Sequence, residues 1–354
     1  MVYHLSSLLK SYISCAHSFH YISFRALAAL ITVLALSMIA GGAFIARAQQ
    51  LFASKSRQYT PEGHRAKDNM PTMGGVFIVG VVCITTLIWA NTTDPRVWIL
   101  LATLLLFGLI GFWDDWSKIA RGAGVPAVYK ARAQIAAAVF LISWWVRVAQ
   151  PELMLIMPIW KHSTIPLGPL IYLWWVWVLV GASNAVNLTD GLDGLAIGSL
   201  IPNFATFAVI GYLAGHYRFA EYLHIPYMAT AEVGIVGAIL VGASMGFFWF
   251  NAYPAQIFMG DVGSLSLGAA LAMMAIMTRQ ELLLAVSGIL FVIETVSVMT
   301  QVVSFRYFGR RIFRMAPIHH HFEILGWPES KITIRFALIS CIACLVALMM
   351  LKVR

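Results

Sequence analysis

The sequence predicts an all-α integral membrane protein, a bundle of ten transmembrane helices. Hydrophobic residues make up 60% of its 354 residues and charged residues only 11%, against about a quarter in a typical soluble domain. The mean hydropathy is +0.81. A soluble protein of this length cannot bury so much apolar surface, so the composition indicates a chain that lies largely in a lipid bilayer.

Ten apolar runs account for this composition, and each predicts one span. A helix needs roughly 20 residues to cross a bilayer, within a range of about 17 to 25. The fourth run has only 14 residues, but Arg132 and Arg147 flank it and can snorkel to the interfaces. In chain order the runs are Ala26–Ala46, Pro71–Ala90, Val97–Trp113, Ala133–Val146, Leu167–Val186, Leu195–Ala214, Val233–Phe250, Val262–Thr278, Leu282–Val303 and Phe336–Leu351.

The distribution of Lys and Arg predicts the orientation of the bundle. An even number of spans places both termini on one side, and the five loops on the other side hold 15 of the 24 basic residues. This bias predicts cytoplasmic loops and extracytoplasmic termini. The net charge of +9 therefore indicates orientation and anionic substrates or lipid head groups, not nucleic acid. The five loops are 47–70, 114–132, 187–194, 251–261 and 304–335.

Two segments lie outside the spans. Residues 1–23 are mixed in character and predict an extracytoplasmic or interfacial segment, followed by one transmembrane domain over residues 24–354. Residues 150–166 are too few to span again and predict a small extracytoplasmic hairpin. No internal repeat is evident, which argues against many secondary-transporter folds.

The third span runs into the acidic stretch "GFWDDWSK". If the helix continues, Lys118 lies four residues after Asp114 and three after Asp115, within reach of either carboxylate. A solvated, charged helix end explains this stretch slightly better when it is taken alone.

Two further predicted cytoplasmic loops are acidic and contain no Lys or Arg. "NLTDGLDG" carries Asn187, Asp190 and Asp193, and "NAYPAQIFMGD" ends at Asp261. A turn followed by an aspartate helix cap explains the first loop about as well as a functional site does, and Asp261 is also placed to cap a helix. Together with Asp114 and Asp115, however, these acids lie at one membrane face. Clustered carboxylates favour Mg²⁺, which retains waters and binds substrate phosphates.

Basic residues and imidazoles complete this predicted face. The last loop carries four arginines and then His319, His320 and His321, which suit hydrogen-bond donation to a phosphate or diphosphate. For the arginines alone, a positive-inside loop is the better interpretation. In the first loop Lys67 is a candidate phosphate partner. Glu294 lies inside an apolar span and is expected to face the bundle interior, with its role left open.

These stretches together resemble a known superfamily. "PTMGG", "DDWSK", "NLTDGLDG", "NAYPAQIFMGDVGSL" and "FRMAPIHHHFEILGWPE" are similar to motifs of the polyprenyl-phosphate hexosamine-1-phosphate transferases, from about residue 25 to the C-terminus. The acidic motifs are general to that superfamily. The run "MAPIHHHFE" resembles specifically its phospho-N-acetylmuramoyl-pentapeptide transferase branch.

The resemblance implies a function, a cofactor and partners. It implies transfer of phospho-N-acetylmuramoyl-pentapeptide from UDP-N-acetylmuramoyl-pentapeptide to undecaprenyl phosphate, which yields lipid I and UMP in the first membrane step of peptidoglycan synthesis. It implies a Mg²⁺-dependent active site on the cytoplasmic face of a bacterial inner membrane, in a homodimer. A sibling enzyme that moves N-acetylglucosamine-1-phosphate is the alternative, and a cation- or proton-coupled transporter is the alternative from another class.

The resemblance also assigns residues. Asp114 and Asp115 match the catalytic acidic pair, and Asp261 matches the principal Mg²⁺ ligand. Direct attack by the lipid phosphate and a covalent aspartyl intermediate both remain open. The substrate-binding positions that the resemblance implies are Lys67, Thr72, Lys118, Lys130, Asn187, Asp190, Asp193, Asn251, Phe258, Gln301, His319, His320 and His321.

Overall fold

Helices dominate the computed structural model of the protein, which describes residues 1–3, 6, 18–51, 70–158 and 163–353. The described part contains thirteen helices and one two-stranded sheet. The helices are α1 (Ile22–Leu51), α2 (Gly74–Trp89), α3 (Pro95–Arg121), α4 (Ala127–Ala149), α5 (Leu170–Thr189), α6 (Leu195–Ala214), α7 (Tyr217–Leu223), α8 (Ala231–Asn251), α9 (Gly260–Met277), α10 (Glu281–Ser287), α11 (Ile289–Phe308), α12 (Ile318–Ile324) and α13 (Glu329–Val353). The strands are β1 (Met154–Ile156) and β2 (Thr164–Pro166).

The prediction of an all-α integral membrane protein is confirmed. Within the described ranges, nine helices are long and apolar enough to cross a membrane. The second predicted run forms α2, which is apolar but has only 16 residues, so the count of ten spans is not established. The ninth run, Leu282–Val303, is divided at Gly288 into the short helix α10 and the long helix α11.

Helix α3 carries the first acidic motif beyond the apolar run. Asp94 caps its N-terminus by accepting a hydrogen bond from the Arg96 amide at 2.9 Å, and Pro95 occupies the first turn, where its missing N–H costs nothing. The helix ends only at Gly122, whose φ of 71° is left-handed. Asp114, Asp115 and Lys118 therefore lie on a helix and not in the loop that the run lengths predicted.

Helix α9 forms the centre of the bundle. Every residue from Val262 to Met277 is buried, and α9 packs mainly against α3 and α5. Two glycines allow the close approach of its first turn: a Cβ on Gly111 of α3 would overlap the carbonyl of Asp261, and one on Gly75 of α2 would overlap the backbone of Gly263. Small residues permit such backbone contact between membrane helices. The two glycines thereby allow α2 and α3 to lie against the first turn of α9, which carries Asp261.

The opposite face of the bundle carries the predicted hairpin. β1 and β2 pair antiparallel, with Leu155 opposite Ile165, which confirms a hairpin within residues 150–166. The guanidinium of Arg279, beyond the end of α9, donates to the carbonyl of Met154 and fixes this hairpin to the bundle. Since α9 begins at Gly260 and ends at Met277, the hairpin and Asp261 are separated by the length of that helix.

Candidate active site

Three carboxylates from two helices form the centre of the site, and we refer to Asp114, Asp115 and Asp261 as the acidic centre. Each offers an oxygen within 4.8 Å of the others. Asp114 and Asp115 come from the last turns of α3, and Asp261 comes from the first turn of α9. The side chain of Asp261 does not cap its helix, so the capping interpretation of this residue is wrong.

Two lysines neutralise the acidic centre in part. The Nζ atom of Lys118 lies 2.6, 3.0 and 3.1 Å from oxygens of the three carboxylates, in chain order. This confirms the reach expected from its helical spacing. Lys130, in the first turns of α4, contacts Asp261 and lies 3.7 Å from Asp114. Within the described ranges, two ammonium groups thus face three carboxylates, which leaves an excess of negative charge among them.

Backbone and side-chain donors fix the orientation of these carboxylates. Asp114 accepts from the Val125 amide at 2.9 Å, and Asp115 accepts from the Val262 amide at 3.2 Å. The Asn187 side chain donates to Asp261 at 3.0 Å and to the Ser264 hydroxyl at 2.8 Å. Each carboxylate therefore keeps one oxygen held by the protein while both lysines remain close.

The donor set of the acidic centre suits a hard divalent cation. Three carboxylate oxygens within a few ångströms of one another are ligands that Mg²⁺ and Ca²⁺ prefer. The Lys118 ammonium already makes contact with all three carboxylates, which shows that the geometry accepts a cation between them. The group can hold a metal ion, with Asp114, Asp115 and Asp261 as the ligands.

The segment from Asp190 to Gly194, which we call the Asp-Gly loop, lies beside the acidic centre. Asp190 is close enough to the centre that burial, and then the charges of Asp261 and Asp115, raise its pKa to about 8. Asp193 is 1% exposed and accepts from the Ala255 amide at 3.0 Å, while its own amide donates to Glu329 at 2.7 Å. Asp193, predicted to bind substrate, is thus buried in this structure, where its hydrogen bonds hold the loop in place.

Three other predicted positions surround the loop and the start of α9. Asn251 is buried, accepts from the Gly194 amide at 3.2 Å and donates to the Ile257 carbonyl at 2.8 Å. The backbone of Phe258 bonds to Pro71 and Gly74, which places the residues around Thr72 against the loop before α9. The Thr72 hydroxyl lies beside Gly260, next to the acidic centre. Asn251 therefore shapes this side of the site through its side chain, which bonds two backbone groups, and Phe258 does so through its own backbone.

The last predicted loop divides its residues between different roles. Gln301 accepts from the Ile312 and Phe313 amides at 3.0 Å and holds the chain between α11 and α12. His320 contacts Glu323 at 2.6 Å, and His321 accepts from the Arg314 amide at 3.1 Å. His319 is 1% exposed and faces the bundle interior. The three histidine side chains thus have different neighbours in this structure.

Some residues were not anticipated, and one predicted residue cannot be placed. Lys67 lies outside the described residues. Ser264 was missed, although its spacing of three from Asp261 on a helix was a usable signal. Glu329 was also missed, because an acid at the start of the last helix is ordinary and gives no sign of the loop it binds. Of the predicted residues, the structure does bring together the three carboxylates of the acidic centre, Lys118, Lys130 and Asn187.

A comparison with known families agrees with this geometry. The family model described as glycosyl transferase family 4 matches residues 97–279, slightly more than half of the chain. The match begins in α3 and ends just beyond α9, so it includes all three carboxylates of the acidic centre. The chain therefore belongs to glycosyl transferase family 4, within the polyprenyl-phosphate hexosamine-1-phosphate transferases, multi-pass membrane enzymes that transfer a sugar phosphate to a polyprenyl phosphate.

Proposed function

We propose that the protein transfers phospho-N-acetylmuramoyl-pentapeptide from UDP-N-acetylmuramoyl-pentapeptide to undecaprenyl phosphate, with lipid I and UMP as products. The family supplies the reaction class. The choice of sugar rests on the run "MAPIHHHFE", which spans residues 315–323. The observation that carries the chemistry is the acidic centre, with two lysines, at the ends of membrane helices.

The proposed reaction joins two anions, which repel each other, so the site must supply positive charge. An oxygen of the lipid phosphate attacks the phosphorus that bears the sugar, a new phosphorus–oxygen bond forms, and UMP leaves with the electron pair of the broken diphosphate bond. Lys118 and Lys130 supply positive charge where the two phosphates meet. Because a bound substrate competes for these ammonium groups, their contacts with the acidic centre are the ones that change on binding.

The paired aspartates at the end of α3 have a separate role. They lie at the end of a membrane helix, the depth expected for the head group of a membrane lipid. We propose that Asp114 or Asp115 accepts the proton of the lipid phosphate or orients it. The alternative route, in which an aspartate attacks first and forms a covalent sugar-phosphate intermediate, uses the same residues.

Magnesium is the proposed cofactor, held by Asp261 together with Asp114 and Asp115. When bound, Mg²⁺ would supply charge neutralisation at the diphosphate of the nucleotide sugar. Asn187 keeps the Asp261 carboxylate oriented, and the Val262 amide does the same for Asp115. The proposed setting is the cytoplasmic face of a bacterial inner membrane, with both termini extracytoplasmic and the protein a homodimer.

A direct assay tests the proposal. Purified protein is incubated with undecaprenyl phosphate, Mg²⁺ and either UDP-N-acetylmuramoyl-pentapeptide or UDP-N-acetylglucosamine, and UMP is measured. Release of UMP with the first donor only is the expected result. Release with the second donor only would assign the sibling reaction. No UMP with either donor, together with proton flux in liposomes without substrate, would favour a transporter.

A further inference from the structure

Glu294 is the only acidic residue of α11, and it is fully buried. An isolated carboxylate is very costly to bury in an apolar helix bundle, so such a residue requires a partner. One ring nitrogen of His319, Nδ1, lies 3.1 Å from the Glu294 Oε2 atom, and His319 is 1% exposed. Both side chains are therefore shielded from solvent and lie against each other.

The contact separates His319 from its two neighbours in the chain. His320 contacts Glu323 on its own short helix, and His321 accepts from a nearby backbone amide. Both of these partners lie within seven residues along the chain, whereas Glu294 is 25 residues before His319. Of the three histidines, only His319 therefore points from α12 into the interior of the bundle.

The other side of the His319 ring rests on the Asp-Gly loop. The Nε2 atom occupies the space that a Cβ on Gly191 would fill. Hydrogen bonds from α13 and from residues 251–255 hold Asp193 and Gly194, in the second half of this loop. His319 packs against the first half, next to Asp190. Glu294 thus contacts His319, and His319 in turn contacts Gly191 of the Asp-Gly loop, which lies beside the acidic centre.

We propose that Glu294 is a positioning residue, which holds the His319 imidazole against Gly191 and so fixes the Asp-Gly loop beside the acidic centre. A carboxylate beside one ring nitrogen favours the ring orientation in which that nitrogen faces it. The inference rests on the proposed function, and it takes the Asp-Gly loop, which carries the expected substrate-binding position Asp190, to contact the nucleotide-sugar donor. Its consequence is that Glu294 acts on donor binding without contact with substrate.

The experiment compares two buried glutamates. Glu294→Leu and Glu232→Leu each remove a buried carboxylate, but Glu232 pairs with Arg25 in helices α8 and α1, away from the Asp-Gly loop. Both variants should lose thermal stability. Only Glu294→Leu should raise the KM for the nucleotide-sugar donor, by about tenfold, the usual scale for loss of a supporting partner, with a smaller change in kcat.

A conservative variant and the glycine separate positioning from simple destabilisation. Glu294→Gln keeps the shape of the side chain and an oxygen beside the ring, so its donor KM should return close to that of the native protein. Gly191→Ala should displace the ring and raise the KM as Glu294→Leu does. The double variant should show little more than either single change, because both break the same contact. An equal KM rise in Glu232→Leu, or additive KM effects in the double variant, would overturn the inference.

The inference and the proposed function can fail separately. If the native protein releases no UMP from any donor, the proposed function is wrong. The contact itself is still tested by melting temperatures, since Gly191→Ala and Glu294→Leu should be non-additive while Gly191→Ala and Glu232→Leu should add. If UMP is released and the KM of Glu294→Leu is unchanged, the positioning role is wrong and the proposed function stands.

Discussion

Two clusters of charged side chains, one at each end of the bundle, differ in the balance between positive and negative groups. At one end Arg25 and Glu232 form a one-to-one pair, with contacts of 2.6 and 3.1 Å, and the Asn91 amide donates to the same carboxylate at 2.8 Å. At the other end, among the residues that the structure describes, three carboxylates face two lysines. A balanced pair is typical of a structural contact, whereas an excess of one sign favours a bound cation or substrate. The imbalance, more than the burial, supports the proposal that this end carries the function.

The largest expected effect is on turnover at the unbalanced end. Asp261→Asn removes a carboxylate that contacts both lysines, so UMP release should fall by about a thousandfold, the scale for a group that stabilises charge in a transition state. Some stability should be lost as well, since Lys118 and Lys130 each lose an ionised carboxylate partner. Asp94→Asn, which changes a helix cap at the other end, is the control. Near-normal UMP release from Asp261→Asn would remove this residue from the mechanism.

The balanced pair should give the opposite result. Glu232→Leu leaves Arg25 buried without its carboxylate, so the free energy of unfolding should fall by about 3–5 kcal/mol, while kcat per folded molecule is unchanged. Denaturant or thermal unfolding in detergent measures the loss. The double variant Arg25→Met with Glu232→Leu should recover most of the stability. If kcat fell in proportion to stability in both clusters, the distinction between them would be lost.

Cation binding should separate the two ends directly. With Mg²⁺ at about a hundred times its Kd, the native protein should gain about 2.7 kcal/mol of stability. The gain should vanish in Asp261→Asn and persist in Glu232→Leu, because only the first variant alters the acidic centre. Melting temperatures with Mg²⁺ and with a chelator provide the measurement. A gain that survives in Asp261→Asn would place the cation elsewhere.

The smallest expected effect is a pH dependence at Asp190. Its pKa is about 8 in the folded protein against an ordinary value of 3.8, because of burial and neighbouring carboxylates. The folded state therefore binds the extra proton between these values, and this contribution to stability is lost as pH rises through that window. Asp190→Asn lacks the titration. With a chelator present, the variant should gain about 2 °C or more in melting temperature relative to the native protein by pH 9 or so. A difference that does not change with pH would contradict the expectation.

Local sequence determined much of the fold and part of the site. The apolar runs predicted the spans, since a helix in lipid must satisfy its own backbone and so needs a continuous apolar stretch. Helical spacing alone predicted the contact of Lys118 with the paired aspartates, because residues three and four apart share a helix face. The apolar runs did not predict where helices end, since α3 continues through its charged residues. They also failed at Gly288, where one apolar run contains two helices.

The tertiary structure decided which of the polar residues meet. Lys130 reaches Asp261 across 131 positions of the chain, and Asn187 reaches it across 74. Close packing of α3 on α9 brings the three acids together, and no local pattern encodes it. Sequence alone gave the three histidines one expected role, whereas in the structure only His319 is buried, beside Glu294. The physical reason is that local spacing fixes contacts along one helix, while contacts between helices depend on how buried surfaces fit.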